Sequence, residues 1–517
     1  MYKIVLLSIL IILLSIVRGN SQTVQDSTSI NTGNNTYELK GVVRDVGNQK
    51  GLPYTNIFVL HKNIGAISNE IGDYLINISD LDGTDTIRFQ YIGYKTKKIT
   101  VADLLVSSDV YLKEEIFNLS ETIIFGNELN AKSIVKNVLK NKDANYKKST
   151  AKRLTFIRKR DISDIVEVNL KYMKSSFDEL DRELLKVLEE KIPKHSTSYT
   201  DFLGDLYFSA NEDDSITFKI EPIRTVSLKE KDIAELEQIE TIFENIFKST
   251  KEDEYWKIAS GILSQKIDIE DDEVKSDSVI EEPQKDSLKE NERRTKYFAR
   301  STKYKLKYST LDNEDNWEFL HSTGKYKYTL AGGTRVNGED VYIIDFIPKS
   351  GGEFTGRMYI SMSTYALIRA DYEYAPDKTG RDFHMFGVGY TENMFSGSIY
   401  FEKQDSTYSL KYFSKKAGSF ATFDRNIAIL KKRKRFLFDK KLKEIKIGVE
   451  MALNSEQSVE ILFLSDNEIT HQQFLDFEQK EKMEIIYVDQ FDDKLWQGYS
   501  IIEPTKKMRE YKKQVVE

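Results

Sequence analysis

Five histidines, His61, His195, His321, His384 and His471, are the residues that could hold a hydrolytic metal, because the chain has no cysteine. A catalytic zinc needs His and Glu close together, with a third ligand and a general base. None of the five stands in an H-E-x-x-H or H-x-x-E context. There is no G-x-S-x-G elbow and no P-loop. The stretch GGEFTGR, Gly351 to Arg357, has glycine spacing but carries Arg where a lysine must reach phosphate, and it lies between strand patterns. The GVG at Gly387 to Gly389 lacks the third glycine and the helix of a dinucleotide site. Asp271 and Asp272 sit in a polar stretch where water screens them, so neither acquires the shifted pKa of an acid–base pair. No catalytic residue, metal ligand or cofactor is expected, and the chain reads as one that binds.

Two patterns keep a binding chemistry. Lys431, Lys432, Arg433, Lys434 and Arg435, followed by Lys440, Lys441 and Lys443, form the densest run of charge. Such a run is usually a solvated surface segment; as a site it would meet anionic lipid headgroups or an acidic partner. Ser27, Thr86, Ser215, Ser278, Ser287 and Ser406 each follow an aspartate and precede a small or aliphatic residue or threonine, the sequon of O-glycosylation in some envelope proteins.

The elements that must carry these residues begin with an address. Lys3 precedes an apolar run from Ile4 to Val17, with small residues at Gly19 and Ser21. This describes a secretory signal peptide over residues 1–21, too short to span a bilayer. A polar tether, 22–36, follows. Without cysteine the mature chain is expected to be neither lipidated nor disulfide-bonded. A net charge of −7 gives no drive toward nucleic acid. Hydrophobic residues at 40% and charged residues at 31% of 517 fit about three globular domains.

From Tyr37 short strand patterns alternate with turns: YELKGVVRD, KGLP, YTNIFV, NEIGDYLI, DTIRFQYIGYKTKKI and VYLKEE. They predict an antiparallel sandwich over 37–126, with Gly93 reversing or bulging the chain between Tyr91 and Tyr94. In order and spacing these turns resemble the carboxypeptidase regulatory-like domain, a small transthyretin-like β-sandwich. The resemblance implies an accessory module of envelope proteins of Gram-negative bacteria, following the signal peptide, and not a peptidase.

Residues 127–267 mix strands and helices. Ala131, Ile134, Val135, Val138 and Leu139 make one helical stripe. Phe177, Leu180, Leu184, Val187 and Leu188 make another, and Ile233, Leu236, Ile239, Phe243 and Phe247 a third. Residues 268–294 read as an acidic, polar linker. Residues 295–430 give a meander of strands, in which Ala366, Ile368, Ala370, Tyr372 and Tyr374 share one face. That meander resembles the half-barrel of periplasmic lipoprotein carriers. A basic segment and α/β tail, 431–517, close the chain.

The expected fold is therefore multidomain, β-rich α+β. The expected function is a non-enzymatic, exported envelope protein, in the periplasm or peripheral to the outer membrane, that docks an envelope protein, glycan or lipid. Two alternatives stand beside it: a lipid or lipoprotein carrier, and a hydrolase with an accessory sandwich.

Overall fold

The computed structural model describes residues 38–511 except 63–64, 79–80, 118–129, 147–148, 179, 211–215, 230–252, 262, 268–286, 308, 337, 436–437, 480–482, 497–498 and 500. The expected signal peptide and tether, the third helical stripe, Ser27, Ser215 and Ser278 lie outside the described residues.

The sandwich forms over the expected residues, but not wholly antiparallel: its last strand, Val110–Leu112, joins its first in parallel. Its strands are β1 (Glu38–Asp45), β2 (Asn56–Val59), β3 (Gly65–Ile67), β4 (Asp73–Asn77), β5 (Thr86–Gln90), β6 (Lys97–Thr100) and β7 (Val110–Leu112). They build a three-stranded sheet, β4-β1-β7, and a four-stranded sheet, β3-β2-β5-β6. Alternate residues of both, among them Val43, Ile57, Val59, Ile87, Phe89 and Leu112, fill the core between them. A short helix, α1 (Val101–Val106), is capped by Thr100. Gly93 sits in a turn closed by Tyr94 N–H donating to the Tyr91 carbonyl, at φ +86°, a conformation that glycine adopts freely.

The remaining strands are β8 (Ala151–Ser175), β9 (His195–Ala210), β10 (Ile216–Lys229), β11 (Glu254–Ser260), β12 (Leu263–Ile267), β13 (Tyr326–Val336), β14 (Glu339–Pro348), β15 (Phe354–Ser361), β16 (Leu367–Tyr374), β17 (Asp382–Met385), β18 (Val388–Gln404), β19 (Thr407–Arg433), β20 (Lys440–Phe463), β21 (Asn467–Glu468) and β22 (Ile486–Val488). All belong to one 15-stranded sheet with the path β13-β14-β15-β16-β18-β19-β20-β8-β9-β10-β22. The division of 127–267 from 295–430 and 431–517 is thus not a division of sheets. β20, expected in the tail, pairs along almost its whole length with β8 on one side and β19 on the other. Period-two patterning identifies strands but not their partners, so the sequence segments looked separate.

Helices α2 (Ala131–Lys140), α3 (Lys142–Asn145), α4 (Arg182–Lys191), α5 (Ser287–Lys307) and α6 (Glu318–His321) follow in chain order, then α7 (His471–Asp476) and α8 (Lys506–Arg509). α5 begins at Ser287, inside the stretch read as linker. Its first turns, SLKENERR, are rich in strong helix formers, and composition alone took their charge for disorder. α2 buries Ala131, Ile134, Val135 and Val138 as its stripe predicts. α4 departs from its stripe: Leu185 and Leu188 are buried while Val187 is 42% exposed. The helix starts only at Arg182, capped by Asp181, which leaves Phe177 and Leu180 ahead of it.

The two faces of the large sheet have different covers. On one, Phe202 packs on Phe298 of α5, and Tyr372 packs on Trp317 and Phe319 at α6. Ala366, Ile368, Ala370 and Tyr372 are all buried, but the ladder with β15 skips Ile368, so the expected sharing of one face breaks at that bulge. The other face carries the sandwich and part of the C-terminal tail. Tyr54 stacks on Tyr412 with ring centroids 4.2 Å apart, Ile67 bridges to Ile502, and Trp496 packs edge-on to Phe156.

Candidate functional site

At the end of the sheet where β13 turns into β14, β15 into β16 and β18 into β19, three turns surround a cleft of about 510 Å³. That volume lies in the range of small-molecule sites. Val336, Met362, Ile368, Tyr400 and Phe401 give it an apolar wall; Glu339, Asp340, Ser363, Lys403 and Tyr408 give it a polar one. The turns are set by backbone as much as by side chains. Gly338 and Asp405 have positive φ at the two hairpins, and Tyr365 does in the third turn. The apolar wall is braced from behind. Tyr146, after α3, packs on Phe401 at 4.8 Å between ring centroids and donates to the Leu367 carbonyl at 2.7 Å.

Glu339 organises the polar wall. Its Oε1 accepts from Ser361, from Tyr408 at 2.6 Å and from Ser363 at 3.1 Å, and Lys403 Nζ stands 3.6 Å away. Burial works against its charge, but the Ser361 and Tyr408 hydroxyls, then the Lys403 ammonium and Ser363, outweigh it and hold the carboxyl below its ordinary value. Every one of these bonds converges on Oε1. Oε2 has no partner among the described residues, so it is the acceptor left for a ligand. A carboxylate so stabilised is a weak base, and hydroxyls that donate to it are not activated as nucleophiles. The chemistry this geometry supplies is recognition of a hydrogen-bond donor beside an apolar surface.

The basic cluster is split by the fold. Lys431 is 8% exposed and pairs with Glu254 at 3.1 Å, and Arg433 pairs with Glu254 at 2.6 Å and Asp253 at 3.2 Å. Both are tied to β11, a partner the linear sequence did not reveal. Lys432 is half-buried; Lys434 and Arg435 are exposed at the β19–β20 hairpin tip, with Lys440, Lys441 and an 86% exposed Phe438. Of the described sequon residues, Thr86 opens β5 half-buried, and Ser406 is exposed in the turn between β18 and β19, at the lip of the cleft. Ser287 is the first residue of α5. Of the glycine motifs, Gly387 is a turn with φ +73° between β17 and β18, whereas GGEFTGR runs from a turn into a strand: Gly356 and Arg357 lie in β15, and Arg357 pairs with Asp345 at 2.6 Å. Among the described residues no group of His, Asp and Glu is arranged to hold a metal. The cleft itself escaped the sequence reading. Its residues come from three turns and share no spacing; the Glu339 to Tyr408 distance in sequence carries no signal.

Residues 39–124 match the family model of the CarboxypepD_reg-like domain. The N-terminal sandwich is a CarboxypepD_reg-like domain. The match ends before α2, so the CarboxypepD_reg-like module names the sandwich and not the large sheet. No curated protein matches the chain. Among solved structures, MucB in complex with MucA(peri) is similar over 62% of this chain and 94% of its own, at 8% identity and TM-score 0.17. A domain described as an outer membrane lipoprotein-sorting protein, from Vibrio parahaemolyticus, aligns over 67% of this chain and 97% of its own at 9% identity and TM-score 0.18. A DUF1329 family protein from Desulfovibrio piger aligns over 66% and 98% at 12% identity and TM-score 0.16. Resemblance at such TM-scores falls short of a common overall fold. No helix among the described residues is long and apolar enough to cross a membrane.

Proposed function

We propose that this chain is an exported envelope protein that binds without catalysis, as a carrier or sensor of an amphipathic small molecule. The ligand's apolar part would lie against Met362, Ile368 and Phe401, and a hydroxyl or amine head would donate to Glu339. The observation that carries this reading is the one-sided saturation of Glu339: three hydroxyls on Oε1, none on Oε2, beside an apolar wall. The CarboxypepD_reg-like sandwich then acts as a brace, because the surface carrying Tyr54, Tyr91 and Ile67 is taken up by the chain's own sheet. The exposed part of the basic cluster, Lys434, Arg435, Lys440 and Lys441 with Phe438, fits peripheral contact with an anionic membrane surface.

Dodecylamine and dodecanoate, titrated into the mature protein below their micellar concentrations, test the reading. Dodecylamine should bind, Glu339→Gln should weaken it at least tenfold, and Met362→Trp should fill the cleft and abolish it. Equal binding of dodecanoate, or no binding of either, would overturn it. Hydrolysis of an ester analogue in the cleft, lost in Glu339→Gln, would favour the hydrolase alternative instead.

A further inference from the structure

Lys159, Lys305 and Lys415 meet on the helix-covered face of the large sheet. Val459 of β20 pairs with Lys415 on one side and Lys159 on the other. The two lysines therefore project from the same face, with one strand between them and roughly 10 Å between their backbones. Tyr412 and Phe156 face the sandwich and tail, so their strand neighbours Phe413 and Ile157, two residues back from each lysine, lie on the helix-covered face, and the lysines with them. α5 supplies the third member. Thr295 and Thr302 are buried, Leu306 is 3% exposed, and Phe298 packs on Phe202, whereas Tyr297 and Tyr304 are exposed. Lys305 lies three residues after Thr302 and seven after Phe298, on the stripe that faces the sheet. A lysine occupies a position where this helix otherwise places core residues.

Lys159 and, to a lesser degree, Lys415 stand close enough to Lys305 to repel its charge. The other charged groups in range are Asp161, on β8 and on the same face as Lys159, and Glu392 on β18, which acts on Lys415. Neither Lys159 nor Lys305 has a carboxylate within 4.0 Å among the described residues. Lys415 lies 5.3 Å from the centre of the Phe395 ring. Burial first, then Lys159 and Lys415, bring Lys305 down to about 7, and burial brings Lys415 to about 8. Lys159 and Lys305, two half-buried ammonium groups that repel each other, are poorly placed for the empty protein and, with Lys415 beside them, well placed around an anion.

We propose that Lys159, Lys305 and Lys415 form a binding site for one phosphate group. A phosphate dianion offers three outward oxygens, one for each ammonium, which a carboxylate does not. The site is separate from the turn-lined cleft: Lys415 lies seven residues along β19 from Tyr408, roughly 23 Å. The group can arrive as inorganic phosphate or as a lipid phosphomonoester.

Calorimetric titration of the mature full-length protein at low ionic strength tests the site, first with inorganic phosphate and then with dihexanoyl phosphatidic acid. Binding should weaken at least tenfold in Lys305→Met and in Lys159→Met. At pH 8 it should take up a proton, read from the change of heat with buffer ionisation enthalpy, as the anion draws a proton onto Lys305. Without phosphate, Lys305→Met should melt higher than the unmodified protein, and added phosphate should raise the melting temperature of the unmodified protein alone. Phosphatidic acid binding at least tenfold tighter than inorganic phosphate marks a lipid head as the source; similar affinities mark free phosphate. Absence of binding at millimolar phosphate and phosphatidic acid, or unchanged affinity in Lys305→Met, overturns the site. Neither result bears on dodecylamine in the cleft.

Discussion

Arg369 shows what a single residue does in the seam between sandwich and sheet. It is 4% exposed and holds three bonds: Nε to Asp371 Oδ2 at 2.7 Å, Nη2 to Asp371 Oδ1 at 3.0 Å, and Nη2 to the Tyr91 hydroxyl at 2.7 Å. Asp371→Ala would leave a buried guanidinium without its counter-charge and should cost about 3–5 kcal/mol. Tyr91→Phe removes one bond to a charged group and should cost about 1.5–3 kcal/mol. Urea unfolding of the two variants checks the order; equal losses would mean the Arg369–Asp371 pair is not the anchor. Tyr91 and Tyr94 also explain why Gly93 stands between two aromatics. The turn aims Tyr91 at the sheet and Tyr94 at Asp45 within the sandwich, 2.6 Å from its carboxylate. The sequence disclosed the turn, because glycine at φ > 0 leaves a local mark. The destination of each ring depends on a distant partner, Asp45 at 49 residues' remove and Arg369 at 278, and left none.

Glu460 lies deeper in the same seam, facing Arg158, Glu70, Asp201, Tyr54 and Tyr412. Burial raises its carboxyl to about 7, against an ordinary 4.5, despite Arg158. Between those values the folded protein keeps a proton that the unfolded chain releases. Its contribution to stability is therefore fullest below pH 4.5 and is lost as pH rises through 7. The melting temperature should fall between pH 5 and pH 8, and Glu460→Gln should flatten that fall. An identical pH profile in the variant would remove Glu460 from the seam's titration.

At the scale of elements, strand length is the distinguishing quantity. β8, β19 and β20 have 25, 27 and 24 residues, where strands in globular proteins seldom exceed about 10. Each extends roughly 80–90 Å and so reaches two separate cores. One is the helix-covered core; the other gathers Trp256, Phe423, Ile427, Ile429, Ile445 and Val449 near the β19–β20 hairpin. The stretches between them carry Ser, Lys and Gln, which broke the apolar alternation and made one strand read as two segments. The hairpin that ends β19 carries Lys434, Arg435, Lys440 and Lys441 beyond the second core. Replacing these four by serine should reduce binding to vesicles containing phosphatidylserine by up to about 1 kcal/mol per residue. Loss of binding in a Lys431→Ser variant with the tip intact would place the contact elsewhere. The tip's exposure was legible in the run of charge, whereas the removal of Lys431 and Arg433 from it required β11.

For the whole molecule, the pairing of β20 with β8 changes what the acidic stretch after β12 can be. A cut within residues 268–286 separates β8–β12 from β13–β22 in sequence. In space the two parts share the β20–β8 ladder and the β11–β19 ladder. A protein nicked there should elute as one particle on native size exclusion and separate only in denaturant. Two independently migrating fragments would show that the ladders do not hold. The sandwich, by contrast, was largely readable, because its own core runs only from Leu39 to Leu112 and each of its turns has its own residues; what it packs against was not.

The same ladder sets an order of events in the life of the chain. β8 is made early and β20 late, so one edge of β8 has no neighbour until the C-terminal part has left the ribosome. Through that interval a strand of 25 residues presents open backbone groups, the surface from which chains stick to one another. The CarboxypepD_reg-like module can close at once; the large sheet must wait for nearly the last strand. Chains that stop before Phe463 are therefore expected to aggregate and not to persist as shorter folded proteins, a liability met by whatever holds the unfinished chain in the compartment where it folds.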